Sequence, residues 1–537
     1  MRLRLDSTPE GAVQSDIEAR RRSVMRIVRL AVAVLALGLA PAWAMAQGKT
    51  IVYGRGTDSL NLDPGLALSS EDFKVTDWMF EGLVRFKGES TDIEPALAQS
   101  WEVTPDGKVW TFKLRPGVKF HDGSPLNAAA VKYSFERQFK KDHPHYSARF
   151  ARWASKFGDM TGADAIDDMT VRLNFTVAQP ALLQNLAIYV GYVVSQAAAS
   201  ANPQGFSTNP SGTGPYKFVR WEKNNLIELA RNDAYWGGPA KVERVVVRVI
   251  PENDVRLLAL QKGEIHLTDD LPFNRLAEVA ASSTMAVHTV PAYGFSGIYF
   301  NLQSKTVGDV RVRQAINHAI NRGRIFNVTF FKQGVSADQA LPAGSMGYVK
   351  NIPAYAYDPD KAKKLLNDAG VAAGTKVNLL AFANPRPFFP SPTDAVAMVK
   401  ADLARVGIDL NVNMATWADW IAKRRVGEFD MCLGGWTAST LDPDGVLYPL
   451  FHSHSIGNDN TARMADPTVD KLLVDARQSL DLKERDRLYQ QAASRIADLS
   501  AVVFLANPLY SLGMRREVEG AFRNPANQVW LHQVSLR

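Results

Sequence analysis

A single cysteine, Cys432, stands among 537 residues. It has no partner for a disulfide, so the hydrophobic cores alone must hold the chain together. The same count excludes a zinc site built on thiolates. Nine His are scattered. The pair in His452-Ser453-His454 offers two ligands, too few for a zinc site. No GxxxxGK[ST] phosphate loop occurs: GTGPYK (212–217) and GVAAGTK (370–376) miss the spacing. YGRGTDS lacks the third Gly of a dinucleotide turn, and neither GxSxG nor HExxH is present. There is no internal repeat, and the 37 Gly and 28 Pro are spread along the chain as turns between many elements. No Lys/Arg run forms a phosphate stripe: the net charge of +7 comes from 62 basic and 55 acidic residues that are interspersed. A nucleic-acid partner is therefore not expected. After the first 46 residues, no apolar run approaches the ~20 residues of a membrane-spanning helix.

What is present begins with an address. RRRSVMRIVR (20–29) is basic, LAVAVLALGLA (30–40) is a short apolar run, and PAWAMA ends in Ala44-Met45-Ala46, a small-x-small cleavage site. The expectation is a signal peptide over 1–46, cleavage before Gln47, and a soluble periplasmic protein. Met25 would begin a more compact signal, and Arg21-Arg22 fits a loose twin-arginine pattern, although the general secretory route is expected. Cys432 lies far from the cleavage site and is no lipoprotein cysteine.

The remaining chain reads as mixed α/β. TIVYG (50–54) alternates like a strand, and SLNLDPGLALSSED comes next as a loop. FKVTDWMFEGLVRF (73–86) has apolar residues at helical spacing. Pro105-Asp106-Gly107 is turn chemistry between SWEV and VWTFKL, which predicts a hairpin. AKVERVVVRVI (240–250) is a β-branched strand, and the helix after it stops at Gly263. Asp358 caps a further helix with Pro359 at its first position. KVNLLAF, a helix over TDAVAMVKADLARVG, and IDLNVNMAT alternate as βαβ. A second alternating series begins near 290, which predicts a lobe boundary there. AVVFLA and Asn507-Pro508 suggest a return crossing near 507.

Several stretches, in order along the mature chain, resemble the dipeptide/oligopeptide/nickel family of bacterial extracytoplasmic solute-binding proteins, which serve ABC importers. They are LVRF…IEPALAQSWEVTPDGKVWTFKLRPGVKFHDGSPLNAAAVKYSFER (83–137), SGTGPYKF (211–218), NDAYWGGPAKVERVVVRVIPENDVRLLALQKGEI (232–265), YFNLQSKTVGDVRVRQAINHAINR (299–322) and YDPDKAKKLLNDAG (357–370), together with GGWTASTLDPDGVLYPLF (434–451). Through GVSADQALPAGSMGY (334–348) the strongest likeness is to dipeptide-binding proteins. The resemblance implies an α/β fold of two lobes that close on ligand, the periplasmic-binding-protein or Venus-flytrap fold. Lobe I would span 47–289 with an inserted subdomain at about 80–210, lobe II 290–506, and residues 507–537 would return to lobe I. It also implies a monomeric, non-enzymatic receptor without cofactor or metal. The receptor would take a peptide or peptide-like small molecule and dock on an inner-membrane ABC permease.

The resemblance assigns roles residue by residue. Arg386 in NPRPFFP stands where dipeptide-binding relatives hold the ligand carboxylate, with Phe388 at the adjoining aromatic position; a planar guanidinium suits that work. Trp417 matches a ligand-covering aromatic. Ser69, Ser70 and Glu71 match a first-lobe loop lining the pocket. Trp436, Thr437 and Ser439 fall in the GW loop. There the relatives carry an acid that meets the ligand ammonium, three residues after the Trp, and this chain has Ser439. A hydroxyl cannot neutralise an ammonium, and an unpaired buried charge costs several kcal/mol. Either the ligand lacks a free α-ammonium, as a γ-linked, glutathione-like or modified peptide does at that point, or another acid takes its place: Glu71, Asp442 or Asp444. Asp442-Pro443-Asp444-Gly445 otherwise reads as a turn that caps the element begun by VLYPLF. The alternatives left open are a metal-chelate receptor of the same fold and an exported hydrolase.

Overall fold

The computed structural model describes residues 50–537 except 68, 151, 152, 353, 387 and 439. The expected signal peptide with its cleavage site, and Ser439, lie outside the described residues.

Two large sheets and a smaller one organise the described chain. The first has seven strands in the order Tyr216–Glu222, Leu226–Arg231, Arg244–Val249, Thr50–Arg55, Leu267–Asp269, Leu509–Arg515, Met285–Pro291. The second has six: Val335–Ser336, Val502–Asn507, Gly294–Phe300, Met431–Thr437, Thr375–Phe382, Ile408–Ala415. The third is an antiparallel sheet of four strands, Ala98–Val103, Val109–Leu114, Thr170–Phe175 and Met160–Asp167, with the helix Ala128–Glu136 against it. The chain passes from the seven-stranded to the six-stranded sheet through Ala292-Tyr293 and returns through Pro508. The two passages lie side by side, since the Ala292 amide donates to the Pro508 carbonyl at 2.8 Å.

Local chemistry explains many boundaries. The hairpin turn at 104–107 closes with Asp106 accepting from the Thr104 hydroxyl at 2.6 Å and Gly107 at φ 69°. Asp358 accepts from the Lys361 amide at 2.9 Å and opens the helix Pro359–Asp368. The helix Asn253–Lys262 stops at Gly263, which adopts the left-handed conformation. In the six-stranded sheet, Thr375–Phe382 pairs parallel with both Ile408–Ala415 and Met431–Thr437. The crossover helices are Pro392–Arg405 and Trp417–Val426.

The helical spacing of 73–86 does not produce one helix. A helix covers Ser70–Thr76, beginning inside the expected loop, and short strands come after it at Glu81–Gly82 and Val84–Phe86. Tertiary contacts override the periodicity. Gly82 lies so close to the Leu186 carbonyl that a Cβ would come within 2.0 Å of it, and Glu81–Gly82 pairs with Tyr192–Val193. Glu81 turns inward, accepting from the Thr213 and Tyr235 hydroxyls at 2.8 Å each and from the Trp236 indole at 2.9 Å.

Asp77, just past the first helix, accepts from the Tyr192 hydroxyl at 2.6 Å and borders a cavity of about 70 Å3. Burial pushes its carboxyl up to about 7, against hydrogen bonds from Tyr192 and Gln528 that act the other way. The folded protein therefore keeps a proton that the unfolded chain releases from about pH 4 upward, and stability falls as pH rises through the window from there to about 7. Water drawn into the adjoining cavity would partly solvate the charged form. Asp77→Asn is expected to flatten this fall and to gain about 2 kcal/mol at pH 8, with little change at pH 4. Urea denaturation at the two pH values checks it; an equal effect at both would count against a titrating Asp77.

Candidate functional site

Three segments expected to carry site residues leave the carboxyl ends of three neighbouring strands of the six-stranded sheet. Phe382 ends Thr375–Phe382 and Arg386 lies just beyond; Ala415 ends Ile408–Ala415 and Trp417 lies just beyond; Trp436 and Thr437 end Met431–Thr437. The crevice outside the carboxyl ends of parallel strands is where open α/β sheets take their ligands.

The Arg386 loop is held tightly. The Arg386 amide donates to the Phe389 carbonyl at 2.9 Å and the Phe389 amide to the Arg386 carbonyl at 2.8 Å, while the Ser296 hydroxyl donates to the Phe388 carbonyl. The guanidinium lies 3.9 Å over the Trp417 ring. Trp417 in turn stacks on Trp420 at 4.7 Å with the planes 8° apart. Thr416 caps the helix that presents both indoles, its hydroxyl accepting from the Asp419 amide at 3.2 Å. Phe388 packs on Gly435, where a Cβ would meet its ring at 2.7 Å, so the second Gly of GGW leaves room for this aromatic. Arg386 has no ion pair among the described residues, and its Nε is buried without a hydrogen-bond partner. Burial holds its pKa below the ordinary value, and an Arg still stays charged at neutral pH.

Side chains alternate along a strand. With Gly435 turned to Phe388, the Trp436 ring lies on the opposite face, where its indole donates to the Gly445 carbonyl at 2.9 Å. On that side opens a cavity of about 740 Å3. Trp436, Thr437, Asp444, Tyr448 and Arg477 line it from the second lobe; Lys156, Asp159, Gln179 and Tyr189 line it from the opposite wall. Tyr189 is fixed by stacking on Phe73 at 4.9 Å, and Tyr448 by the Arg477 guanidinium at 3.9 Å. Lys156 donates to the Thr440 hydroxyl at 3.2 Å across 284 residues of sequence, tying the two walls together.

Not every expected residue faces this space. Ser69 starts the helix Ser70–Thr76, and its amide donates to Asp72 at 3.1 Å. Ser70 sits 3.4 Å from a Glu71 carboxylate oxygen. Glu71 accepts from Lys74 at 2.9 Å, and its other oxygen is sealed from solvent without a partner. Burial raises the Glu71 pKa and Lys74 opposes that rise. Glu71, Asp269 and Asp270 bring their oxygens within 4.8 Å of one another, the spacing of a metal site. The Lys74 ammonium already stands among them, contacting Asp269 and lying 3.2 Å from Asp270, so a metal would have to displace it. Burial works to raise Asp270, but Arg523 at 2.9 Å and Lys74 outweigh it and hold the carboxyl below its usual range.

Asp442 does line the cavity, but as a paired acid. Both of its oxygens take the Arg485 guanidinium, at 2.6 and 2.8 Å, with the two side chains almost fully buried. It does serve the expected turn, accepting from the Asp444 amide at 2.9 Å before the helix Asp444–Phe451. Asp444 lies 2.9 Å from Arg477; burial raises its pKa and Arg477 works against that. Each of the three acids considered as substitutes for the missing charge thus has a cation of its own. His452 uses Nδ1 to accept the His454 amide at 3.0 Å, which removes that nitrogen from any paired metal site. Lys156, Asp159, Tyr189 and Arg477 gave no signal in the sequence, because they come from separate segments with no shared motif, and Tyr448 falls inside the stretch 434–451, where the resemblance assigns it no role.

Residues 92–458 match the family model described as bacterial extracellular solute-binding proteins, family 5 Middle. A dipeptide-binding protein of Escherichia coli (strain K12) is 29% identical, with 95% of this chain and 98% of that protein covered. A glutathione-binding protein of Pectobacterium atrosepticum is 31% identical, over 94% and 97% of the two chains. Among solved structures, the ABC transporter-associated periplasmic binding protein DppA from Helicobacter pylori, in complex with the peptide STSA, superimposes with a TM-score of 0.77 at 31% identity, covering 92% of this chain and all of that one.

Proposed function

The chain belongs to the family 5 bacterial extracellular solute-binding proteins, and on that premise we propose that it captures a short peptide or peptide-like solute between its lobes and delivers it to an ABC importer. The observation that carries this reading is the Arg386 guanidinium, without an ion pair among the described residues and stacked on Trp417 beyond the strand ends; the 740 Å3 cavity itself is lined by Trp436 and Thr437 from the neighbouring strand, not by Arg386, Phe388 or Trp417. A half-buried cation without a counter-ion among the described residues asks for an anion from outside, and the planar fork suits a carboxylate. The names of the relatives point the same way: dipeptide, glutathione and the peptide STSA all carry carboxylates.

The mechanism is population shift. Ligand binds the closed arrangement better than the open one, and the closed form engages the permease. The Lys156–Thr440 hydrogen bond joins the walls of the cavity and is a natural clasp of that state. Binding requires no covalent step, and the protein acts as a non-catalytic monomer. It is exported, with its signal peptide removed between Ala46 and Gln47, and works in the periplasm.

A γ-linked peptide is the second reading. The glutathione-binding relative, Ser439 in place of an acid, and the engagement of Glu71, Asp442 and Asp444 by cations of their own all favour a ligand without an α-ammonium at that point.

Native mass spectrometry of freshly purified protein, and then calorimetry with the ligand it identifies, tests the proposal. A co-purified peptide or γ-glutamyl peptide with a free carboxylate is expected. A ligand lacking any anionic group, or turnover of the bound peptide, would overturn it.

A further inference from the structure

We propose that Asp159 receives a cationic group of the ligand, so that the ligand runs from Arg386 past the end of the Met431–Thr437 strand into the large cavity and is longer than two residues. This inference rests on the peptide reading above and adds to it where the second charge is met and what length that requires.

Three observations carry it. Asp159 lines the cavity from the wall opposite the GW loop; its carboxylate has neither a hydrogen bond nor an ion pair among the described residues and feels at longer range Arg477, whose guanidinium Asp444 holds at 2.9 Å. The other lining carboxylates are engaged by arginines: Asp442 by Arg485, Asp444 by Arg477 and Asp459 by Arg424 at 3.3 Å. Phe388 packs on Gly435 and Arg386 on Trp417, and none of these four lines the cavity, which Trp436 and Thr437 line at the strand end. A ligand that touches both Arg386 and the cavity must cross that end.

Charge and reach supply the energetic reason. Two residues span roughly 7 Å at full extension, whereas the ligand proposed here reaches from Arg386, which does not line the cavity, to the wall opposite the GW loop. A carboxylate in the cavity wall whose neighbouring guanidinium is held by another acid attracts a cation that arrives with the ligand. Of the cations already lining the cavity, Arg477 and Arg485 hold Asp444 and Asp442, and Lys156 donates to Thr440. A ligand ammonium, whether N-terminal or on a side chain, supplies the missing charge. Tyr189, stacked on Phe73, and Tyr448, held between Arg477 and His452, are rigid parts of the cavity wall between the two ends.

The test is calorimetry on the wild type and Asp159→Asn with Ala-Ala, tetra-alanine, N-acetyl-tetra-alanine and N-acetyl-Lys-Ala-Ala-Ala. The wild type is expected to bind tetra-alanine more tightly than Ala-Ala, and at least about fivefold more tightly than its acetylated form. Asp159→Asn should erase the amine preference. Asp159 is exposed, and its hydrogen bonds from the Thr176 amide and hydroxyl go to the backbone carbonyl, which Asn keeps, so the variant should unfold where the wild type does. Tight binding of the acetyl-Lys peptide would assign the recognised ammonium to a side chain; weak binding would assign it to the N-terminus. Ala-Ala binding as well as tetra-alanine, or an amine preference that survives Asp159→Asn, would overturn the inference while leaving the peptide reading in place. Failure of every peptide to bind would overturn both.

Discussion

Arg386→Ala is expected to weaken a peptide with a free C-terminus by about 2–5 kcal/mol, the range for truncating one partner of a desolvated charge pair. The same peptide with an amidated C-terminus should lose much less, because it brings no full charge to the guanidinium. Stability should hardly change. Arg386 has no acid to leave unpaired among the described residues, and its Nε is already without a partner. Arg386→Lys should recover only part of the affinity, since an ammonium keeps the charge but loses the fork and the flat contact 3.9 Å above Trp417. Titration calorimetry on the three proteins with the acid and amide forms gives the comparison. Equal affinity of wild type and Arg386→Ala for the acid form would remove Arg386 from the site, and with it the observation on which the proposed function chiefly rests.

What the sequence could tell about this site depended on how local the physics was. The turn at Pro105-Asp106-Gly107, the cap at Asp358 and the stop at Gly263 act within a few residues, and each is legible as residue chemistry. The alternation around 375–415 is equally local, and it sets Arg386 and Trp417 beyond neighbouring strand ends. Ion-pair partners are another matter. Lys74 meets Asp269 from 195 positions away, and Arg523 meets Asp270 from 253. Nothing near Glu71 in sequence shows that a buried lysine and two more carboxylates will surround it. The stretch 73–86 fails for a related reason: its helical spacing is real, but the approach of Gly82 to the Leu186 backbone decides the conformation. The cavity wall from Lys156 to Tyr189 was invisible because a cavity has no sequence motif; it exists only where two separately folded walls meet.

Asp442→Ala is expected to cost about 3–5 kcal/mol of stability, because it leaves the Arg485 guanidinium buried without its counter-charge. Burial works against a charged Arg485, and Asp442 more than offsets this, so that the pKa lies above the ordinary arginine value. The remaining partners cannot replace the carboxylate: the Ala476 carbonyl at 3.0 Å and the Tyr489 hydroxyl at 3.3 Å are neutral. The change also removes the acceptor for the Asp444 amide ahead of the helix Asp444–Phe451, the element that carries Tyr448 into the cavity wall. The double replacement Asp442→Leu with Arg485→Met should cost less than the sum of the single changes, since replacing both members of a buried pair removes the uncompensated charge. Urea denaturation of the four proteins closes the cycle. Ligand affinity of the folded variants separates this role from a direct one. An acid that touched the ligand would weaken binding when removed and leave the unfolding midpoint in place, and that outcome in Asp442→Ala would return Asp442 to the ligand. The opposite pattern, with stability lost and the affinity of the folded fraction nearly kept, ties the carboxylate to the wall itself. Arg386→Ala is expected to show the mirror image, so the two variants together divide the charges around this cleft into those that shape it and those that wait for the solute.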